Sequence, residues 1–248
     1  MKKYMLLLGV LALLSVGVVS AQDAPFRVAV VMPSTITDIS WSQAIYDALV
    51  VVQTEMGGES AMEIAYQENT FDPTAGAQAL RDYAEEGYDL VIAHGTQFGT
   101  GLFELAPDYP ETAFAWGTAK DTGADQGLTN VFAYEASAEQ GGYVNGVIAA
   151  MLTKSNTIGI VGPIPAGDAL LYINGFQQGV AATNADATVL LAYTGGFGDT
   201  AAAAEVAQTV IAAGADVMTG SAQQVVGAIE AIEAAGGRFG TQSDQRNA

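Results

Sequence analysis

Short apolar runs alternate with amphipathic segments along nearly the whole chain, and that alternation limits the fold more than any other feature. Runs suited to buried strands fall at 28–32, 62–66, 90–93, 112–116 and 130–134, then at 157–161, 188–193 and 216–219. Between them, apolar residues recur at helical spacing over 40–56, from Asp72-Pro73 to Gly87, over 97–106 up to Pro107, and over 138–153 after Ser137. The same spacing continues over 168–183, 199–213 and 223–235. Pro73 suits a first helical turn, and Gly87, Gly214 and Gly236 suit helix stops. Strand–helix alternation of this kind builds parallel sheets with helices on both faces. There are two such series, with a seam between Tyr134 and Ser137. The expectation is an α/β protein of two doubly wound parallel-sheet lobes joined by a hinge, with a cleft between them. Lobe 1 is expected over 22–135 and lobe 2 over 136–243, with 244–248 returning to lobe 1. Residues 236–240 read as a turn into one more strand. No closing helix follows, so lobe 1 reads as incomplete.

The first 21 residues read as a sorting signal rather than as structure. Lys2 and Lys3 precede an apolar stretch over 5–19, and Val19-Ser20-Ala21 offers small residues to a signal peptidase. The stretch is shorter than the ~20 residues of a membrane-spanning helix. Cleavage after Ala21 would leave 227 of the 248 residues, enough for two lobes of about 100 residues each. There is no cysteine, hence no disulfide, no thiol ligand and no lipidated cysteine behind the signal. A soluble periplasmic or otherwise extracytoplasmic protein is expected. The formal charge of −19 becomes −21 once Lys2 and Lys3 leave. The remaining cations, Arg27, Arg81, Lys120, Lys154, Arg238 and Arg246, are scattered singly. Nucleic acid needs clustered cations, so it is excluded as a partner, and the same scarcity argues against phosphorylated ligands.

Patterns for catalysis are missing. His94 is the only histidine, which rules out a multi-histidine metal site and leaves no second candidate base. No nucleophile elbow, dinucleotide fingerprint or phosphate-binding loop occurs. In the loop after residue 161, Pro163 and Pro165 lack the amide donors a phosphate cradle needs. No catalytic residue, metal or cofactor is expected. What stands out is a set of aromatic and polar residues just past strand ends, where ligands bind in open α/β sheets. Trp41 lies at the mouth of the first strand–helix turn beside Asp38, Ser40, Ser42 and Gln43. His94 follows the third strand and Trp116 ends the fourth. Phe197 sits between glycines in Gly195-Gly196-Phe197-Gly198, with little local core to join. Trp41 and Phe197 facing each other would form a slot for a flat ring, with base–aromatic stacking worth roughly 1–3 kcal/mol per contact. Other readings stay open at each position. Trp41 can staple its own helix, Phe197 can cover the next one, His94 can be a structural hydrogen bonder, and Trp116 can belong to the core. Asp199 reads better as a helix cap than as a ligand group.

These residues resemble the basic membrane protein family, purine-nucleoside receptors of ABC importers. The stretch VAVVMPSTITDISWSQAIYDAL looks like the family's first strand, loop and helix, with Asp38, Ser40, Trp41, Ser42 and Gln43 in its motif. LRDYAEEGYDLVIAHG, EQGGYVNGVIAAMLTKSNTIGIVG, NGFQQGVAATN, YTGGFGD, GADVMTGSAQQVVGAIEAIEAAG and a final SDQ follow in family order. The resemblance implies a type I periplasmic binding fold and a monomer. It also implies a purine nucleoside or base held between Trp41 and Phe197, and delivery to permease subunits in the membrane. Asp244 falls on the position that binds ribose hydroxyls, and Asp38, Ser42 and Gly220 fall on other pocket positions. The chain departs from the family in having Gly117-Thr118 where an acidic residue is usual, Trp41 where Phe is common, and an early end. A receptor for a sugar or other small solute on the same fold, and a secreted α/β hydrolase, are the alternatives.

Overall fold

The computed structural model describes residues 24–38 and 40–241. The expected signal segment and Asp244 lie outside the described residues. Two all-parallel sheets account for the alternation. The first holds β1 (Phe26–Val31), β2 (Met62–Gln67), β3 (Leu90–Ala93), β4 (Ala113–Gly117) and β5 (Val131–Tyr134), in the order β2-β1-β3-β4-β5. The second holds β6 (Thr157–Gly162), β7 (Thr188–Tyr193), β8 (Val217–Gly220) and β9 (Arg238–Thr241), in the order β7-β6-β8-β9. The connecting helices are α1 (Trp41–Met56), α2 (Pro73–Glu85), α3 (Gly99–Leu105), α4 (Ala138–Leu152), α5 (Gly167–Thr183), α6 (Thr200–Ala212) and α7 (Val225–Ala234).

Successive strand residues point to opposite faces, and both faces are covered. In β1, Val28 and Val30 pack with Leu49 of α1, while Ala29 and Val31 pack with Leu80 of α2 and Leu102 of α3. In β6, Ile158 and Ile160 meet Tyr172, Ile173 and Phe176 of α5, and Val161 meets Ala203 and Ala207 of α6. All these side chains are buried.

Helix ends follow local chemistry. The Asp72 carboxylate accepts from the Ala75 amide at 2.9 Å with Pro73 in the first turn, and the Asp199 carboxylate accepts from the Ala202 amide at 2.9 Å. Asp199→Ala should therefore cost about 1 kcal/mol, read by urea denaturation. Gly57 and Gly214, just past α1 and α6, have φ of 115° and 103°, a backbone that glycine adopts without strain. Pro107 does not end its helix abruptly. It enters a further 3-10 turn, Ala106–Asp108, because a missing N–H is harmless in a first turn. Ser137 stands at the start of α4, but its side chain makes no capping bond.

α4 and α5 touch backbone to backbone. A methyl added at Gly142, Gly146, Gly175 or Gly179 would run into the carbonyl of the facing helix, at Tyr172, Phe176, Glu139 and Tyr143 respectively.

Candidate functional site

In each sheet the strand order reverses once, between β1 and β3 in lobe 1 and between β6 and β8 in lobe 2. Loops leaving the carboxyl ends of those strand pairs open the crevices where doubly wound proteins bind ligands. The lobe 1 crevice receives the loop before Trp41 and the loop after His94. The lobe 2 crevice receives 163–168 and 221–224.

Asp38 organises the first loop. One carboxylate oxygen accepts from the amides of Ser40 (2.9 Å) and Gln43 (3.0 Å). The other accepts from the Ser42 amide (3.0 Å), the Ser34 hydroxyl (2.5 Å) and the Gln223 side-chain amide (2.9 Å). Asp38 thereby caps the start of α1, where the Ser40 side chain makes no capping bond. The buried Ser42 hydroxyl lies 2.7 Å from that of Ser34 and accepts from the Ser34 amide. Burial would raise the Asp38 pKa, but the bonds from Ser34, Gln43, Ser40 and Ser42 outweigh it and hold the carboxyl below its ordinary value. Gln223 belongs to lobe 2, so its bond to Asp38 ties the lobes across the cleft.

Trp41 and His94 form a reciprocal pair at the lobe 1 switch point. Their rings stack at 4.1 Å and 13°. The indole N–H donates to the His94 carbonyl at 3.1 Å, and His94 Nε2 lies 3.1 Å from the Trp41 carbonyl. A carbonyl only accepts, so Nε2 carries the proton and Nδ1 is the bare acceptor, 2.6 Å from the Tyr134 hydroxyl. His94 is 4% exposed, and burial pushes its pKa down to about 4, against smaller upward pulls from the Trp41 carbonyl and Asp38. The Tyr134 hydroxyl is pushed up, by burial first and then by Asp168. Both ring nitrogens of His94 are spent and one ring face is covered by Trp41. His94 thus braces Trp41 from behind.

Trp116 lies deeper. Its N–H donates to the Gly95 carbonyl at 3.0 Å, its ring meets Phe103 edge-on at 5.4 Å, and it fills the space a side chain at Gly99 would need. It packs against the lobe 1 core. Gly220 ends β8, where a methyl would strike the Val161 carbonyl. Phe197 is half-buried, its carbonyl accepts the Gln224 amide at 3.0 Å, and its ring lies 6.1 Å from that of Phe71 in lobe 1. Gln223, one of the polar residues expected past the strand ends, and Phe71, of which no role was expected, thus join the cleft. Phe71 satisfied the same criterion that singled out Trp41, an aromatic residue just past a strand end.

The buried polar atoms without a partner all belong to residues that follow the carboxyl ends of strands. There are seven among the described residues: Gln97 Nε2, Glu139 Oε2, both Asp168 oxygens, Ser221 Oγ, and both amide atoms of Gln224. Gln97 follows β3, Asp168 follows β6, Ser221 and Gln224 follow β8, and Glu139 opens α4 just after the crossover from lobe 1. Unmet buried polar groups are costly, and in a cleft they are what a polar ligand satisfies. A cavity of about 70 Å³ beside β9, lined by Ile148, Phe176, Met218 and Phe239 together with Asn145 and Arg238, shares none of the residues that carry these groups. Among the described residues no group of His, Asp and Glu is placed to hold a metal ion, and no helix is long and apolar enough to cross a membrane.

A family model described as ABC transporter substrate-binding protein PnrA-like matches residues 26–247. The chain belongs to this family, the basic membrane protein family. A protein of Bacillus subtilis named transcriptional activator protein med is 27% identical over 77% of this chain and 57% of its own. A purine-binding protein of Brucella abortus is 27% identical over 64% of this chain and 44% of its own. A Haloferax volcanii protein named as an ABC transporter glucose-binding protein is 29% identical over 75% of this chain and 45% of its own. The chain thus spans about half the length of these relatives. A solved ABC transporter solute-binding protein from Conexibacter woesei superposes with a TM-score of 0.65 at 23% identity, covering 88% of this chain and 70% of that one. This likeness shows the periplasmic binding protein fold.

Proposed function

We propose that this basic membrane protein family member is the extracytoplasmic receptor of an ABC importer and that its cleft closes on a purine nucleoside or base. Trp41 carries the reading: its indole is held at the lobe 1 switch point by stacking on His94 and by one hydrogen bond to the His94 carbonyl, while His94 Nε2 bonds the Trp41 backbone carbonyl. A ring fixed from behind in this way loses no freedom when a flat ligand stacks on its front. Phe197, brought by the glycine loop of lobe 2, closes the slot from the other side. Asp38 and Gln223 latch the two lobes, and the closed form is the one a permease would recognise. Solute capture and release complete the role, and no step of covalent chemistry is assigned to any residue.

The sugar reading has one observation in its favour, the set of unpaired buried polar atoms past the strand ends, which a polyhydroxyl ligand would also satisfy. A tryptophan-fluorescence titration separates the two. Inosine is expected to quench saturably at micromolar concentration, about −8 kcal/mol, since two stacking contacts and a few hydrogen bonds supply that much. Adenine should bind more weakly, and ribose and glucose should leave the signal unchanged. Saturation by glucose or ribose without a response to inosine overturns the nucleoside reading. Release of free base on prolonged incubation would point instead to hydrolysis.

A further inference from the structure

We propose that Asp168 is a ligand contact, its carboxylate accepting two adjacent hydrogen-bond donors of the bound nucleoside. This rests on the nucleoside reading above and gives it a second anchor, in the lobe opposite Trp41. Asp168 lies in the first turn of α5, past the carboxyl end of β6, so it sits at the lobe 2 switch point. The preceding residue, Gly167, approaches lobe 1 so closely that a methyl there would meet the Thr96 hydroxyl and come within 3.7 Å of Thr118 Cβ. Lys120, Glu135 and Tyr134 of lobe 1 lie close enough to interact with the Asp168 charge, which puts the carboxylate at the junction of the two lobes. Both its oxygens are buried and neither has a hydrogen-bond partner.

A carboxylate left this way is expensive, because it gives up water and gains nothing. The neighbouring charges do not compensate it. Glu135 after β5 and Glu139 at the start of α4 both push the Asp168 pKa up. Lys120 after β4 pulls it down, but its ammonium is already paired with Glu135 at 2.8 Å. The Tyr134 hydroxyl, also near, is bonded to His94. Burial first, then the two glutamates, raise Asp168 to about 6.

A second, independent observation lies on the other side of the same switch point. Gln224, 0% exposed, has neither atom of its side-chain amide bonded, and Ser221, 3% exposed, has a free hydroxyl. Strands β6 and β8 are neighbours, with Val161 opposite Gly220, so the loops carrying these groups emerge side by side. Acceptors at Asp168 and a mixed donor–acceptor amide at Gln224 suit an uncharged ligand rich in O–H and N–H groups. The three carboxylates around this spot disfavour an anion.

A carboxylate accepts two donors side by side equally well from a vicinal diol or from adjacent ring and exocyclic N–H groups. Either source requires the ionised acid, so affinity falls as pH drops through about 6. His94, near 4, and Asp38, held below the ordinary carboxylate value, titrate below that window.

The test compares wild type with Asp168→Asn in the full chain, by inosine titration at pH 7.5 and pH 5.0 and by melting of the unliganded proteins. Wild type is expected to bind about tenfold more weakly at pH 5.0, from one proton taken up near pH 6. Asp168→Asn is expected to bind at least tenfold more weakly at pH 7.5 and to show no such pH dependence. A raised carboxyl pKa means stability is lost as pH rises from about 4 to about 6, so removing the charge should raise the melting temperature at pH 7.5. With 2′-deoxyinosine in place of inosine, loss of the Asp168 effect assigns the contact to the sugar diol. An enlarged effect with guanosine assigns it to the base edge. If Asp168→Asn binds inosine as wild type does, with the same pH dependence, the contact is overturned and the nucleoside reading stands. If the variant melts lower and binds less, Asp168 is structural and the contact is overturned. If wild type binds glucose and not inosine, the nucleoside reading falls first and takes this inference with it.

Discussion

Gly175→Val is expected to lower the melting temperature by about 10 °C, while Gly141→Ala, on the neighbouring helix, is expected to raise it. Glycine inside a helix normally costs close to 1 kcal/mol relative to alanine, so filling such a position usually helps. Gly141 fits that rule: a methyl there meets nothing within 4 Å. Gly175 reverses it. A methyl there would collide with the Glu139 backbone carbonyl, and the same collision recurs at Gly179 against Tyr143, Gly142 against Tyr172 and Gly146 against Phe176. Two glycines four residues apart on each helix let α4 and α5 lie in direct backbone contact. A flexible side chain can move aside, but a helix backbone cannot without shifting the whole pair. Overpacking a rigid site costs about 3 kcal/mol, and each kcal/mol moves the midpoint of a chain this long by ~2–4 °C. Thermal melts of the two variants read the sign directly. If Gly175→Val melts like wild type, the helices are not in the contact described. Glu139 opens α4 opposite Gly175, so separating the helices would also disturb the carboxylate group around Asp168.

The strands and helices were legible because each carries a local signal. Apolar runs four to six residues long, Asp72 and Asp199 as caps, and glycines just past helix ends depend only on near neighbours, and the structure has them where the sequence put them. The further strand expected after Gly236 is β9. Boundaries moved by a residue or two, as at β4 and β8, because pairing register rather than composition decides where a strand ends. Signals that were present went unread at α4 and α5, where Gly142 with Gly146 and Gly175 with Gly179 spell out a close helix contact. The site was harder, since its defining contacts join residues far apart in the chain. Asp38 and Gln223 are 185 positions apart, and no periodicity links them. Trp41 was conspicuous as an aromatic in a ligand-facing loop, and His94 as the only histidine. That one braces the other is a matter of stacking across two strands and is written in neither local sequence. Asp168 reads locally as an ordinary first-turn acid favoured by the helix dipole. Only the surrounding structure shows its oxygens to be without partners.

Trp41→Ala should weaken inosine binding by roughly 10- to 100-fold, while Trp41→Phe should retain most of it. Stacking on an aromatic ring supplies roughly 1–3 kcal/mol, and tenfold in affinity is about 1.4 kcal/mol. Calorimetry is the suitable readout, since the substitution removes a fluorophore. The same variant has a second consequence that needs no ligand. The indole covers one face of His94, and the buried imidazole is held neutral with a pKa of about 4. Charging it in place costs about 3 kcal/mol, and in the wild type that cost appears as stability lost while pH falls from about 6.5 toward 4, where the unfolded chain takes the proton and the folded one does not. Without the indole, water reaches the ring, the pKa climbs back toward the ordinary value, and the acid-side loss shrinks. With a single histidine in the chain, its ring proton resonance reports this titration without assignment. The two readouts separate two roles for one side chain. If the histidine titrates higher in Trp41→Ala but inosine affinity is unchanged, the indole only shields the imidazole and the ligand does not stack on it. If affinity falls while Trp41→Phe preserves it, the aromatic face itself is what the ligand meets, and His94 is the brace that holds it there.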